Sequence, residues 1–124
     1  MRFYSDVKLK AEPSVRDRFV HISEEIEAIE SMLAGIAQEQ LAEDELRRMA
    51  MERMFEIIGI ASDHIPANLK AQEVEVDWQA IAELSDRLGN ALDCIETAVL
   101  WNMAHEKLPP LLACAKRQLR NPAN

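Results

Sequence analysis

Glu83, Asp86, Arg87, Asn90 and Asp93 put five directional polar side chains within eleven residues. They belong to the stretch from Trp78 to Trp101, WQAIAELSDRLGNALDCIETAVLW. At about 100° per residue, Ile81, Leu84, Leu88, Ala91, Leu92 and Ile95 share one side of a helix. Gln79, Glu83, Asp86, Asn90 and Asp93 share the other. The apolar side packs inward, and the polar side is where chemistry or recognition would sit. With Glu83 and Asp93 near Asp86, this face repels a phosphate rather than holding one. The bland reading is a solvated helix face; the functional one is a binding face.

Other reactive arrangements are weak. Arg16 and His21 form an Arg-polar-x-x-x-His string, but five residues on a helix set them about 140° apart, on different faces. A di-iron bundle needs Glu-x-x-His pairs. His21, His64 and His105 are preceded three positions earlier by Arg18, Ala61 and Asn102. Glu24, Glu27 and Glu30 supply half of the Glu-x-x-Glu pattern used by helical nucleotide pyrophosphatases. The only Glu-x-x-Asp to follow, Glu83/Asp86, comes more than fifty residues later. Phosphate-binding glycine loops and nucleophile elbows are absent. Cys94 and Cys114 lack metal or disulfide spacing and read as reduced core or boundary residues. Lys116, Arg117 and Arg120 form a basic C-terminus, read as favouring the helix dipole rather than as a phosphate site. No metal or cofactor is expected.

The elements that must position these groups are all helical. Val15, Phe19, Ile22, Ile26, Ile29, Leu33 and Ile36 step by four and three behind a Ser14 cap, which predicts a long first helix. Gly35–Leu41 reads as a bend. The second helix is expected from Ala42 or Glu43 to Ile65, stopped by Pro66. Its apolar set is broad enough to face the bundle on one side and a twin subunit on the other. Gly59 inside it costs about 1 kcal/mol relative to Ala, and the expected return is close approach of a neighbouring helix. Pro66–Asp77 reads as a polar connection with a short helical turn over Ala67–Gln72. Asp77 caps the helix from Trp78, with a break at Cys94–Glu96. A fourth helix is expected from Thr97 to Lys107, kinked or ended by Pro109-Pro110, and a fifth through Leu111, Leu112, Ala115 and Leu119. The fold class is therefore all-α, an antiparallel helical bundle of four to five helices. Residues 1–13 form an N-terminal arm, 14–120 the bundle and 121–124 a tail.

At this point the residues resemble a family. Trp78-x-Ala80-Ile81, Leu84, Leu88 and Val99-x-Trp101 look like the third helix and following turn of HepT-like proteins. These are small all-helical ribonuclease toxins of the HEPN superfamily, paired with a minimal nucleotidyltransferase antitoxin. Glu56-Ile57-Ile58-Gly59-Ile60-Ala61 looks like the family's E-I-I-G-x-A segment. His21-Ile22 with Ile26 and Ile29 looks like its first helix, and Leu108-Pro109 like its L-P. The similarity covers residues 15 to 120, and its strength lies in the order and spacing of short motifs.

The resemblance implies an active motif R-N-x-x-x-H-x-Y beginning seven residues after that Trp. Counting from Trp78, its four named positions hold Ser85, Asp86, Asn90 and Leu92. Metal-independent RNA cleavage needs a proton carrier near neutral pH and a cation for the phosphorane, roles suited to His and Arg. Asn90 has no such proton and Ser85 no charge. Acid–base catalysis typically supplies about 10²–10⁴-fold, so loss of the imidazole alone is decisive. In the family's pairs the antitoxin transfers AMP to the motif tyrosine, but Leu92 has no hydroxyl and the chain's one tyrosine is Tyr4.

The expectation is thus a non-catalytic HepT-like protein acting through homodimerisation and a nucleotidyltransferase partner. The rival is an active ribonuclease, with RNA as its substrate, in which Arg87, His105 or His21 have taken over the chemistry. A small-molecule binder has only the 83/86/90/93 face to support it. At 124 residues the chain fits one domain, and three glycines with no β-branched run agree with helices. A net charge of −8 and pI near 4.9 argue against non-specific nucleic-acid binding. Met1–Pro13 has no apolar segment resembling a secretory signal, and no run nears the ~20 apolar residues that span a bilayer. A cytoplasmic location is expected.

Overall fold

The computed structural model describes residues 12–90 and 95–121, and every regular element within them is helical. The order is α1 (Val15–Leu33), α2 (Gln38–Ala42), α3 (Glu45–Asp63), α4 (Ala67–Gln72), α5 (Trp78–Leu88), α6 (Thr97–Asn102), a π turn (Met103–Lys107) and α7 (Leu108–Arg120).

Local chemistry explains the starts. Ser14 Oγ accepts from Asp17 N at 3.0 Å, and Asp17 Oδ2 accepts from Ser14 N at 3.0 Å. This reciprocal box satisfies two donors that the first turn of α1 would otherwise leave free. Asp44 Oδ1 accepts from Arg47 N, and Asp77 Oδ1 from Ala80 N, each at 3.0 Å. α1 stops at Leu33, short of Ile36, because Gly35 takes φ +78° and turns the chain. The bend holds the short α2, started by Ala37 N donating to Gln40 Oε1 at 2.7 Å. α4 occupies the expected span.

α3 packs against α1 and α5, and α1 also packs against α7. Arg47 at the start of α3 donates to Met32 O near the end of α1. Arg16 at the start of α1 donates to Leu119 O near the end of α7 at 3.0 Å. Both neighbours of α1 therefore run antiparallel to it. Phe19, Ile22, Ile26 and Ile29 meet Met51, Phe55 and Ile58 in the core, closed by Ile81, Leu84, Leu100, Leu108, Leu111 and Cys114. Each such side chain contributes about 1.5–3 kcal/mol by leaving water.

Two expectations need correction. The helix from Trp78 ends at Leu88, where Gly89 N donates to Ser85 O at 3.0 Å and Asn90 N to Arg87 O at 3.1 Å. Gly carries the largest entropic cost in a helix and Asn favours turns, so the polar face stops one turn early. Of the expected break, Ile95 and Glu96 are non-helical and Cys94 lies outside the described residues. Pro109-Pro110 neither ends nor interrupts the last helix. Helical structure runs from Thr97 to Arg120 through the π turn, whose wider loop Leu108 N closes on Met103 O. A wider turn relieves the contact between a proline ring and the carbonyl four residues back.

Candidate functional site

The positions along α5 divide between two sides of the helix. Ser85 is 9% exposed and lies in the seam with α3, its Oγ donating to Glu56 O at 3.3 Å. Gly59 faces it: a Cβ there would stand 2.1 Å from Ser85 Cβ. The close helix approach expected of Gly59 is thus present, and Ser85 is the residue on its far side.

Glu83 and Arg87, one turn apart, line a groove of about 180 Å³ with Ala80, Leu84, Val99 and Met103. Gln79 Nε2 donates to Glu83 Oε2 at 3.0 Å and holds that carboxylate along the helix. Asp86 is exposed, and Asn90 is exposed after Gly89 at the end of the helix. Leu92 and Asp93 lie outside the described residues. The structure therefore joins Glu83 and Arg87 in one groove, leaves Asp86 and Asn90 exposed outside its lining, and turns Ser85 into the α3 seam. The groove is lined by four apolar residues together with one acidic and one cationic side chain.

The histidines lie elsewhere. His105 lines a separate pocket of about 220 Å³ with Ile29, Glu30, Leu33, Ala34, Ala104 and Pro109. Its Nδ1 is 2.8 Å from Trp101 O, and the two rings sit 4.3 Å apart. A carbonyl only accepts, so Nδ1 carries the proton. His64 makes the same contact with Ile60 O at 2.8 Å. His21 is exposed on α1. Among the described residues no cluster of His, Cys, Asp or Glu could hold a metal.

The Asp77 cap is legible in the sequence, but the distant residues that brace the start of α5 are not. Asp77 receives Lys107 Nζ at 3.0 Å. Four residues earlier, Glu73 accepts from Arg117 and, at 2.9 Å, from Gln118 Nε2. Burial raises the pKa of Glu73, but the bonds and charge of Arg117 and Gln118 outweigh it and hold the carboxyl below its ordinary range. Asp77 is lowered too, first by its bond from Ala80 and then by Lys107. Burial, and next the Glu73 charge, push the Cys114 thiol up to about 12. The basic C-terminus thus has specific partners: Glu73 for Arg117, and Glu27 for Lys116 at 3.4 Å. An alternation of charge along a sequence does not reveal pairs 44 residues apart.

Comparison with known proteins agrees with this architecture. The family profile described as ribonuclease HepT-like matches residues 22–117. A Thermococcus cleftensis protein named "Probable ribonuclease HepT" is 35% identical over 98 residues, covering 79% of this chain and 89% of its own length. A Caldanaerobacter subterraneus protein named as an RNase is 28% identical over 91 residues, covering 73% of this chain and 81% of its own. No solved structure matches. No helix among the described residues is long and apolar enough to cross a membrane.

Proposed function

The chain belongs to the ribonuclease HepT-like family, and on that footing we propose that it is a non-catalytic member of toxin–antitoxin ancestry that works by pairing with itself and binding a partner, a minimal nucleotidyltransferase. The observation that carries this reading is the content of the four positions matching the family motif: Ser85, Asp86, Asn90 and Leu92. None supplies an imidazole or a guanidinium. Ser85 is also packed into the α3–α5 seam, where its hydroxyl is engaged by Glu56 O. Leu92 removes the hydroxyl that a nucleotidyltransferase would modify, so such a partner would act by contact rather than by AMP transfer.

The rival needs Arg87 and a histidine in one pocket. Within one copy of the chain, Arg87 and His105 line different pockets, and Met103 faces Arg87 two residues before His105. The acidic overall charge also disfavours an RNA substrate.

The test is incubation of the purified protein with structured and unstructured RNA in chelator, together with its induction in cells lacking the partner gene. Intact RNA and unimpaired growth are expected. Cleavage that disappears on substituting Arg87→Ala or Asn90→Ala would overturn the non-catalytic reading.

A further inference from the structure

The helical run from Thr97 to Arg120 contains a gap in its own hydrogen bonding. Leu108 N donates to Met103 O, five residues back. The next two N–H groups along the helix would answer Ala104 O and His105 O, but positions 109 and 110 are prolines and carry none. Leu111 N, the next donor, stands six residues beyond His105, past the reach of α or π bonding. Ala104 and His105 are thus left with carbonyl oxygens that no helical N–H satisfies. Unmet carbonyls belong to the last turn of a helix. Here they occur in the middle of one, at a π turn, a feature that recurs at functional sites.

Both residues line the pocket of about 220 Å³ between the end of α1 and the π turn. Ile29, Leu33, Ala34 and Pro109 give that pocket apolar walls. Its polar side chains are Glu30 and His105, both exposed to water. His105 Nδ1 is committed to Trp101 O at 2.8 Å, so Nε2 of the neutral ring is an acceptor. An ionised Glu30 also only accepts. Two carbonyls, one ring nitrogen and one carboxylate therefore offer acceptors and no donor. No lysine, arginine or hydroxyl stands among the described lining residues.

The neighbouring cations are engaged elsewhere. Lys107 is turned to Asp77 at 3.0 Å, and Lys116 pairs with Glu27, one turn before Glu30, at 3.4 Å. Glu106, next to His105, adds a further exposed carboxylate. An acceptor-only pocket in a chain of net charge −8 favours a positively charged donor. The volume sets the scale of the occupant, since a cavity of roughly 150 Å³ takes up benzene. This pocket has room for one such ring and a short arm.

We propose that the pocket between α1 and the π turn binds a small organic cation, a primary ammonium carried on a compact apolar body. The body displaces water from Ile29, Leu33 and Pro109. The ammonium has three donors for the carbonyls of Ala104 and His105 and the Glu30 carboxylate. The site is separate from the α5 groove, and it holds whether or not the chain pairs with itself or cleaves RNA.

The experiment is an amide NMR titration of the whole chain with three probes of one skeleton: phenethylamine, phenethyl alcohol and hydrocinnamate. The amine is expected to bind with a Kd of about 1 mM or tighter, shifting the amides of Ala34, Ala104 and His105. The alcohol should bind at least about tenfold more weakly, and the acid not at all. Glu30→Gln keeps the side-chain shape and should weaken the amine at least about threefold while leaving the alcohol unchanged. Pro109→Ala returns an N–H to the helix and should also weaken the amine, with circular dichroism verifying the fold. Ala34→Phe, at an exposed position, should block amine and alcohol alike. The proposal is overturned by amine and alcohol of equal affinity, or by the absence of pocket shifts at about 10 mM amine. Full amine affinity in Glu30→Gln or in Pro109→Ala would also sink it.

Discussion

Gly59 on α3 and Ser85 on α5 are in such close register that a single added carbon on the glycine would lie 2.1 Å from Ser85 Cβ and 2.3 Å from its Oγ. The clash involves a Cβ, which cannot swing aside, so the helices themselves would have to part. Gly59→Ala gains about 1 kcal/mol of helix propensity and loses about 1–3 kcal/mol or more to overpacking. Net destabilisation of about 1–2 kcal/mol is expected by urea unfolding. Combining it with Ser85→Gly should recover part of the loss, and additive effects of the two changes would refute the contact.

Glu73 is 11% exposed and bridges the α4–α5 connection to Arg117 and Gln118 of α7. Its carboxyl is held below the ordinary value of 4.5 in the folded chain. A depressed carboxylate adds stability that is fully present above its unfolded pKa and fades as pH falls through the folded one. Glu73→Gln should therefore destabilise by about 1–2 kcal/mol at pH 7, between the values of exposed and buried pairs. Below pH 4.5 the gap should shrink. Urea midpoints of both proteins across that range measure it, and a gap that persists in acid would deny the ionic origin.

Asp77 has two tasks, capping Ala80 N and receiving Lys107. Asp77→Ala removes both and should destabilise the protein measurably, whereas Asp77→Asn keeps a good cap and should cost less. Hydrogen exchange of the Ala80 amide separates the roles: protection should fall in the alanine variant and survive in the asparagine one.

Cys114 is fully buried, and its thiol is pushed up to about 12. The thiolate is the nucleophile, so the folded protein should leave this residue unlabelled by a thiol reagent at pH 8. In a Cys94→Ser background, labelling should appear only with denaturant and follow the unfolding curve. Fast labelling of the native protein would contradict the burial.

Much of the helical order is written in short-range chemistry. Ser14, Asp44 and Asp77 start helices by accepting backbone N–H bonds, Pro66 precedes α4, and the three-and-four spacing of Phe19, Ile22, Ile26 and Ile29 marks the buried side of α1. The broad apolar set of α3 announced a helix with two demands, and the structure divides it into Met51, Phe55 and Ile58 inward and Leu46, Met49 and Ile60 outward. The helix from Trp78 ends at Leu88 because Gly89 and Asn90 act as a stop, which the periodicity of the apolar residues does not register.

The sequence by itself determined the all-helical class, the helix starts at Ser14, Pro66 and Asp77, the glycine where two helices would touch, and the absence of imidazole and guanidinium at the motif positions. These follow from local bonding, periodicity and residue chemistry, which act within a few positions along the chain. Only the tertiary structure decided that Ser85 turns into the α3 seam while Glu83 and Arg87 share a groove. It also decided that Arg117 answers Glu73, and that prolines at 109 and 110 continue a helix through a π turn. Each of those outcomes is set by packing between segments distant in sequence, where a contact depends on how helices are placed and not on the residues flanking it.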